Sequence, residues 1–267
     1  MILAIKSNSI GIRVQQNLAT RRRFAEQFPS ELQDRVVVYI VAMRYLVRVM
    51  RMKPVTFKFS EPYIKVQYLE DVSDYRINGR TILFNVDEKS EILIEGKFLK
   101  PWKSSIFANV VIPSARRFIS ITVEPDVLSQ NSYKYASEIK KKWSHIYDLI
   151  PLPHLKGTNL WRSEKEKVND VAFNLWFADA GTNCGLHNEH EFQEIHTQVF
   201  GIGRMQKFHK NDQASIYQEV FMSPGYSHEP FYDENSQLYP WHQYFADTDC
   251  IWLVAEYPLL PTSKLKK

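Results

Sequence analysis

Cysteine is nearly absent: Cys184 and Cys250 are the two in 267 residues. Two thiols make no disulfide framework, and the plain reading is a reducing compartment with both side chains buried. Each sits beside a polar cluster described below, so a functional thiol is the competing reading. Long apolar runs are missing as well. A membrane-spanning helix needs about 20 apolar residues, whereas the run that starts at Val36 stops at Met43, before Arg44. The opening stretch MILAIKSNSIGIR has neither a charged start nor a small-residue cleavage site, so it does not read as a secretory leader. A cytoplasmic protein without a membrane partner is the expectation. A basic stripe is lacking too. The formal charge of +4 is partly terminal, in SKLKK, and no interleaved aromatics accompany it, so nucleic acid is not an expected partner. The Arg21–Arg23 cluster reads as a solvated helix face. No internal repeat and no low-complexity tract is present.

What remains is an ordinary globular composition, 44% hydrophobic and 24% charged, with aromatics at 13%. The length suits one large domain or two small ones, and the aromatic content suits a β-rich fold. Residues 15–28 read as a helix. Residues 30–50 carry a helical stripe through Val36, Ile40, Met43, Val47 and Met50, although the β-branched run VVVYIV would also suit a strand. From 54 to 124 short strands follow one another, among them VTFKF, YIKVQYL, EILIEGKFL and RFISITVEP. Asn78-Gly79 lies between two of them and signals a hairpin. Ala136, Ile139, Trp143, Ile146 and Ile150 recur at helical spacing, which predicts one amphipathic helix ending before Pro151. PLPHLKGTN is a connector. Strand character returns from Val168 to Tyr257 in VAFNLWFAD, FQEIHTQVFG, RMQKFH, SIYQEVFMS, WHQYFA and CIWLVAEY. Short strands without interleaved helices indicate an antiparallel sandwich or barrel. The organisation expected is therefore 1–130, a helical start plus a β-rich domain; 131–165, a helix and connector; and 166–267, a β-barrel.

Histidine is the informative residue. Six of the eight, at 187, 190, 196, 209, 228 and 242, lie between the two cysteines, and the stretch CGLHNEHEFQEIHTQ holds three of them with three glutamates. His is the commonest metal ligand and Glu a regular companion. On a strand from Phe192 to Phe200, alternation puts Phe192, Glu194, His196, Gln198 and Phe200 on one face and Gln193, Ile195, Thr197 and Val199 on the other. If the first face meets solvent, the run is a polar edge. If it points inward, a buried Glu, His and Gln need partners, and a metal ion is the most economical one. His209, in KFHKND, is flanked by charge and turn-formers and reads as exposed.

These residues resemble the cupins, small antiparallel barrels with two motifs. The first family motif is Gly, five residues, His-x-His, three or four residues, Glu, six residues, Gly. Here Gly181 precedes His187 by five intervening residues, His190 precedes Glu194 by three, and Gly201 follows after six. Two residues, rather than one, separate His187 from His190. The second motif is Pro-x-Gly-x-x-His followed by Asn four positions on. Gly225-Tyr226-Ser227-His228 keeps the Gly-x-x-His spacing, Pro224 stands directly before the glycine, and Tyr232 stands where the Asn would be. The resemblance covers about residues 168–257. It implies a jelly-roll barrel holding one divalent transition metal (Fe, Mn, Ni, Zn or Cu), with His187, His190, Glu194 and His228 as ligands and His196 able to replace one of them.

The function that this implies is metal-dependent chemistry on a small polar, sugar-like substrate: an isomerase, dehydratase or oxygenase. Glu194 and His196 are the expected catalytic pair. Gln198, His242, Trp241, Tyr226 and Tyr244 are the expected substrate contacts. The alternative is a non-catalytic cupin that binds a ligand or serves assembly. Residues 54–124 contain no histidine, so they are either a degenerate second barrel, giving a bicupin, or a β-rich partner domain. Cupins often pair through sheet edges, and an exposed edge needs cover, so the resemblance also implies a homodimer.

Overall fold

The computed structural model describes residues 54–60, 63–124, 132–188, 190, 192–232 and 238–258; the helices read over 15–28 and 30–50 lie outside them. Residues from Pro54 on form one compact unit. The described part is mainly β. Its first stretch holds β1 (Val55–Thr56), β2 (Ile64–Ile77), β3 (Thr81–Asn85), β4 (Ile92–Ile94), β5 (Lys97–Leu99), β6 (Ser104–Phe107) and β7 (Val110–Val123). Helix α1 (Ser132–Lys142), the short β8 (Ser144–His145) and helix α2 (Ile146–Leu149) follow. The second stretch holds β9 (Leu160–Arg162), β10 (Glu166–Val168), β11 (Val171–Ala178), β12 (Phe192–Phe200), β13 (Gly203–Phe208), β14 (Ile216–Met222), β15 (Trp241–Ala246) and β16 (Cys250–Pro258).

All strand pairs are antiparallel. The first stretch makes a sheet in the order β1-β2-β7-β3-β6 and the hairpin β4-β5. The second makes a sheet in the order β12-β16-β11-β9-β8, with β10 on β11, and a sheet β14-β13-β15. No sheet closes on itself among the described residues. The two sheets of the second stretch are stitched by single bridges instead. Residues 183–187 run beside β15 through Asn183↔Phe245 and His187↔His242, and Ser227 bridges to Thr197 of β12. The expected barrel is thus a pair of facing antiparallel sheets without a continuous ring of hydrogen bonds.

Two local expectations are corrected. Asn78-Gly79 does turn the chain, with Gly79 at φ +74°. Yet β2 and β3 are not partners, because β7 lies between them and pairs with both. Turn chemistry sets the turn; the choice of neighbour comes from the longer ladder that β2 makes with β7. The single helix expected up to Ile150 is broken after Lys142. Trp143 turns aside to donate its indole N–H to Phe59 O at 3.3 Å. Ser144 and His145 pair with Arg162 and Trp161, and His145 Nδ1 then caps α2 by accepting from Tyr147 N.

The layering explains the burial of β12. Phe173, Leu175, Phe177, Ile195, Val199, Leu253 and Ala255 face one way and pack on Phe57, Val66, Ile82, Phe84, Ile119 and Ile121 of the first sheet. The other face of the same strands meets Met205, Tyr244 and Ala246 of the β14-β13-β15 sheet. Each Val, Leu, Ile, Phe or Met side chain so buried contributes roughly 1.5–3 kcal/mol. As a result every residue from Gln193 to Val199 is at most 9% exposed.

Away from the site, Asn85 and Asp87 order the turn after β3. Asn85 Nδ2 donates to Ser90 O at 2.8 Å and Leu99 O at 3.0 Å. Asp87 Oδ1 accepts from the N–H groups of Lys89 and Ser90 at 2.9 and 2.7 Å, and Arg116 Nε stands 3.4 Å from Oδ2. Burial alone would push the Asp87 carboxyl up, but these donors outweigh it and hold it below the usual carboxylate range. A depressed folded pKa contributes stability that is present above the unfolded value of about 3.9 and is lost as pH falls through the folded value. Urea unfolding of Asp87→Asn should therefore show a loss of about 1–3 kcal/mol at neutral pH that shrinks once the pH drops below about 4. A gap that does not change with pH would contradict this role.

Candidate metal centre

Three short pieces of chain bring the site together. The segment 183–187 lies against β15, so that His187 and His242 form a cross-strand pair whose backbones exchange both hydrogen bonds, at 3.1 and 2.9 Å. His190 sits just before β12. Glu194 is on β12, with its side chain on the face away from the first sheet. The ligand-type atoms of His187, His190, Glu194 and His242 all lie within 4.8 Å of one another. His190 Nε2 is 3.1 Å from His242 Nε2. Both stand near Glu194 Oε1, at 3.5 and 3.6 Å.

The hydrogen bonds outside this group fix its chemistry. His187 Nδ1 is 2.9 Å from Gly185 O, and His242 Nδ1 is 2.8 Å from Pro240 O. A ring nitrogen facing a carbonyl oxygen carries the proton, which leaves Nε2 with its lone pair inward. Burial, with the His242 imidazole next in effect, pushes His187 down to about 4. Burial also lowers His190, against the opposing charge of Glu194. Both rings are neutral at neutral pH, as metal ligands must be. Burial would push the Glu194 carboxyl up, but the surrounding imidazoles, His196 first, reverse this and hold it well below the carboxylate range. The backbone N–H of Glu194 donates to Tyr239 Oη at 3.0 Å.

The donor set fits a divalent transition metal. Two ligands at about 2.0–2.2 Å from an ion, at right angles, stand roughly 3 Å apart, which is the His190–His242 separation. Charge points the same way. Glu194 lies directly across the ladder from Glu256, and two carboxylates in that relation repel. Lys165 Nζ covers Glu256 at 2.6 Å; among the described residues the ion-pair partners of the Glu194 carboxylate are imidazoles.

The remaining expected residues are placed as follows. His196 points to the same side as Glu194, with Nε2 3.5 Å from Glu194 Oε2, and its buried Nδ1 has no partner among the described residues. His228 stands apart from the four-residue group. Its Nε2 accepts from His196 N at 2.9 Å and its Nδ1 meets Glu229 O at 2.6 Å, so both nitrogens are engaged by backbone. Gln198 is engaged as well: its Oε1 accepts from Tyr244 Oη at 2.7 Å and its Nε2 donates to Phe200 O at 2.8 Å. Trp241, His242 and Tyr244 line the cavity beside the site, whereas Tyr226 is outside it and exposed. His209 is exposed and stacks on Tyr217.

That cavity measures about 610 Å³, within the usual range for small-molecule sites. Its floor is the inner face of β12, β16, β11 and β9. Ile150, Leu152 and Leu155 of the connector after α2 line it too, as do Trp176 and Trp252. Arg162 and the Lys165–Glu256 pair also line it, and nothing in the reading of the sequence singled them out. The one signal was an arginine inside an otherwise apolar LWR strand.

No protein-family model matches the sequence, and no curated protein matches it. Solved structures similar to the chain include cupins. One is an RmlC-like cupin from Desulfovibrio desulfuricans, at 17% identity over 38% of this chain and 85% of that one, with a TM-score of 0.29. KdgF from Halomonas sp. is 15% identical over 40% of this chain and 84% of its own, with a TM-score of 0.29. Bacillus subtilis oxalate decarboxylase, studied for its Mn(II) centres, is 12% identical over 77% of this chain and 75% of its own, with a TM-score of 0.31. At such values the likeness decides nothing about chemistry, which has to come from the side chains.

Of the two thiols, Cys184 lines the cavity. Cys184 is half-buried and Cys250 fully buried, and the two are not joined in a disulfide. Burial pushes both thiols up, and Cys250 Sγ lies 3.0 Å from Ile202 O. Thiolate is the reactive form, so iodoacetamide at neutral pH should leave the native protein unmodified while labelling both cysteines after unfolding. Rapid labelling of the native protein would restore the functional-thiol reading.

Proposed function

We propose that this chain is a metal-dependent enzyme of the cupin type acting on a small polar molecule, with His187, His190, Glu194 and His242 as the ligands of one divalent ion. The observation that carries the reading is the convergence of these four donors, with the tautomers of His187 and His242 set by carbonyls and with His242 Nε2 3.6 Å from Glu194 Oε1. When bound, Fe, Mn, Ni, Zn or Cu would polarise a substrate oxygen or, for the redox-active metals, engage dioxygen.

The protein's own groups supply the rest. His196 can take or give a proton at Nδ1, which is buried, lacks a partner and belongs to a cavity-lining residue. Trp241, Trp252 and Trp176 offer flat apolar walls for a substrate, sugar-like rings included. Ile150, Leu152 and Leu155 give the cavity an apolar wall. His228 acts as a positioning residue, holding the backbone of β12 at His196. Isomerase, dehydratase and oxygenase chemistry are each compatible with this arrangement. A second reading, a metal-free binding module, draws on one distance. At 3.1 Å, His190 and His242 can also share a proton as an N–H···N hydrogen bond, which would satisfy them without an ion.

Elemental analysis of the purified full-length protein, loaded with metal and desalted, separates the readings. The expected result is about one divalent ion per chain in the wild type, background levels in Glu194→Ala and His242→Ala, and wild-type occupancy in His228→Gln and His196→Gln. Two folded, fully loaded variants at 194 and 242 would overturn the ligand set, and a wild type that takes up no metal would favour the binding module. Once a substrate is in hand, His196→Gln should retain the metal and slow turnover about 10²–10⁴-fold; unchanged turnover would reduce His196 to a core residue.

A further inference from the structure

Arg162 ends β9 in register with Trp176 of β11, and Trp176 is in register with Trp252 of β16. Directly paired residues project from the same face of a sheet, so these three side chains form one row on the cavity floor, and all three line the cavity. Each carries a buried N–H without a partner: Arg162 Nε, Trp176 Nε1 and Trp252 Nε1. Among the described residues the other buried polar side-chain atoms without a partner are Asn174 Oδ1 and His196 Nδ1. Alternation along β11 and β12 puts these on the same face. Unsatisfied buried polar atoms are rare in native structures and call for an explanation, and here they gather on one face of one sheet, beneath one cavity.

Charge narrows what is missing. Among the described residues no carboxylate makes an ion pair with Arg162. The nearby Glu256 is held by Lys165 at 2.6 Å and accepts from Asn174 Nδ2 at 3.2 Å. The Arg162 guanidinium carbon lies 5.8 Å from the centre of the Trp176 ring, which steadies the side chain without neutralising it. With Lys165 and Glu256 cancelling, Arg162 is, among the described residues, the one uncompensated cation of the floor outside the group at Glu194, and Ile150, Leu152 and Leu155 add an apolar wall. We propose that the cavity takes a molecule bearing one carboxylate, and that Arg162 binds that carboxylate while the polar end of the molecule faces the group at Glu194. A carboxylate is planar, offers two acceptors in the geometry of a guanidinium fork, and brings the single negative charge that Arg162 lacks. A phosphate dianion would leave one charge uncompensated against the apolar wall. This inference rests on the reading of the cavity as a substrate site.

The test uses matched probes on the metal-loaded full-length protein: acetate, butyrate and gluconate against acetamide, butyramide and sorbitol. Affinity is read by calorimetry and by the Arg162 Nε–H signal in ¹⁵N NMR, which Arg162→Gln assigns by its loss. At least one carboxylate should bind tenfold or more tightly than its neutral counterpart and shift the Nε–H signal. Arg162→Gln should abolish that preference with metal content unchanged, and Arg162→Lys should restore part of it. No preference for any carboxylate, or a preference that survives in Arg162→Gln, overturns the inference. The metal measurement is separate. A protein that binds carboxylates through Arg162 but takes up no metal would keep this inference and lose the metal-enzyme reading, while a loaded protein indifferent to carboxylates would do the reverse.

Discussion

Glu194 sits in the middle layer of the fold, about 9% exposed, on a strand whose one face packs on the first sheet and whose other face meets the cavity. Leaving a carboxylate unpaired there would carry a penalty of several kcal/mol. Much of the surrounding structure answers that one charge. Three histidines from different segments turn toward it, His196 leans on its second oxygen, and Lys165 covers the carboxylate of Glu256 across the ladder. The carbonyls of Gly185 and Pro240 set the tautomers of His187 and His242. Rings so oriented present lone pairs to one another and to an anion. Lone pairs facing an anion are unfavourable unless a proton or a cation lies among them, and a divalent ion meets both needs together.

The first sheet supports this arrangement from behind, although it contributes no ligand. Its apolar face covers Ile195 and Val199, so β12 cannot slip register by one residue without burying Glu194 against Phe84 and Ile119. A hydroxyl chain ties the layers: Ser104 Oγ of β6 lies 2.6 Å from Ser227 Oγ, which lies 2.6 Å from Thr197 Oγ1 of β12. Gly225 belongs to the same junction. It has φ +88°, and a Cβ there would meet Ile106 Cγ1 at 2.6 Å. The glycine of the second motif is thus required by the approach of β6, and the loop it opens delivers His228 to the backbone of β12.

Much of this was legible in the sequence. Alternation along FQEIHTQVF put Glu194 and His196 on one face and Ile195 and Val199 on the other, and the cluster from His187 to Glu194 holds three of the four residues that the fold groups together. The question left open, whether that face meets solvent or a cavity, is answered by a second apolar face that packs on a sheet more than 70 residues earlier in the chain. That His242, and not His228, stands in the four-residue group was not legible. Motif spacing identifies a histidine but not what its nitrogens touch, and His228 is engaged by backbone groups at both. His242 reaches the site through the bridge between 187 and 242, a contact that no local pattern encodes. Arg162 was hidden for the same reason, since its significance lies in three strands lining up Arg162, Trp176 and Trp252.

The central claim is that three imidazoles and one carboxylate converge on a single ion. X-ray absorption on the full-length protein loaded with one equivalent of Zn(II) tests it most directly, because imidazole rings give a distinctive outer-shell scattering whose amplitude counts them. The account predicts a light-atom first shell with three imidazoles, unchanged when His228 is replaced by glutamine. A spectrum with no imidazole scattering, or one that loses a ring with His228→Gln, would contradict it.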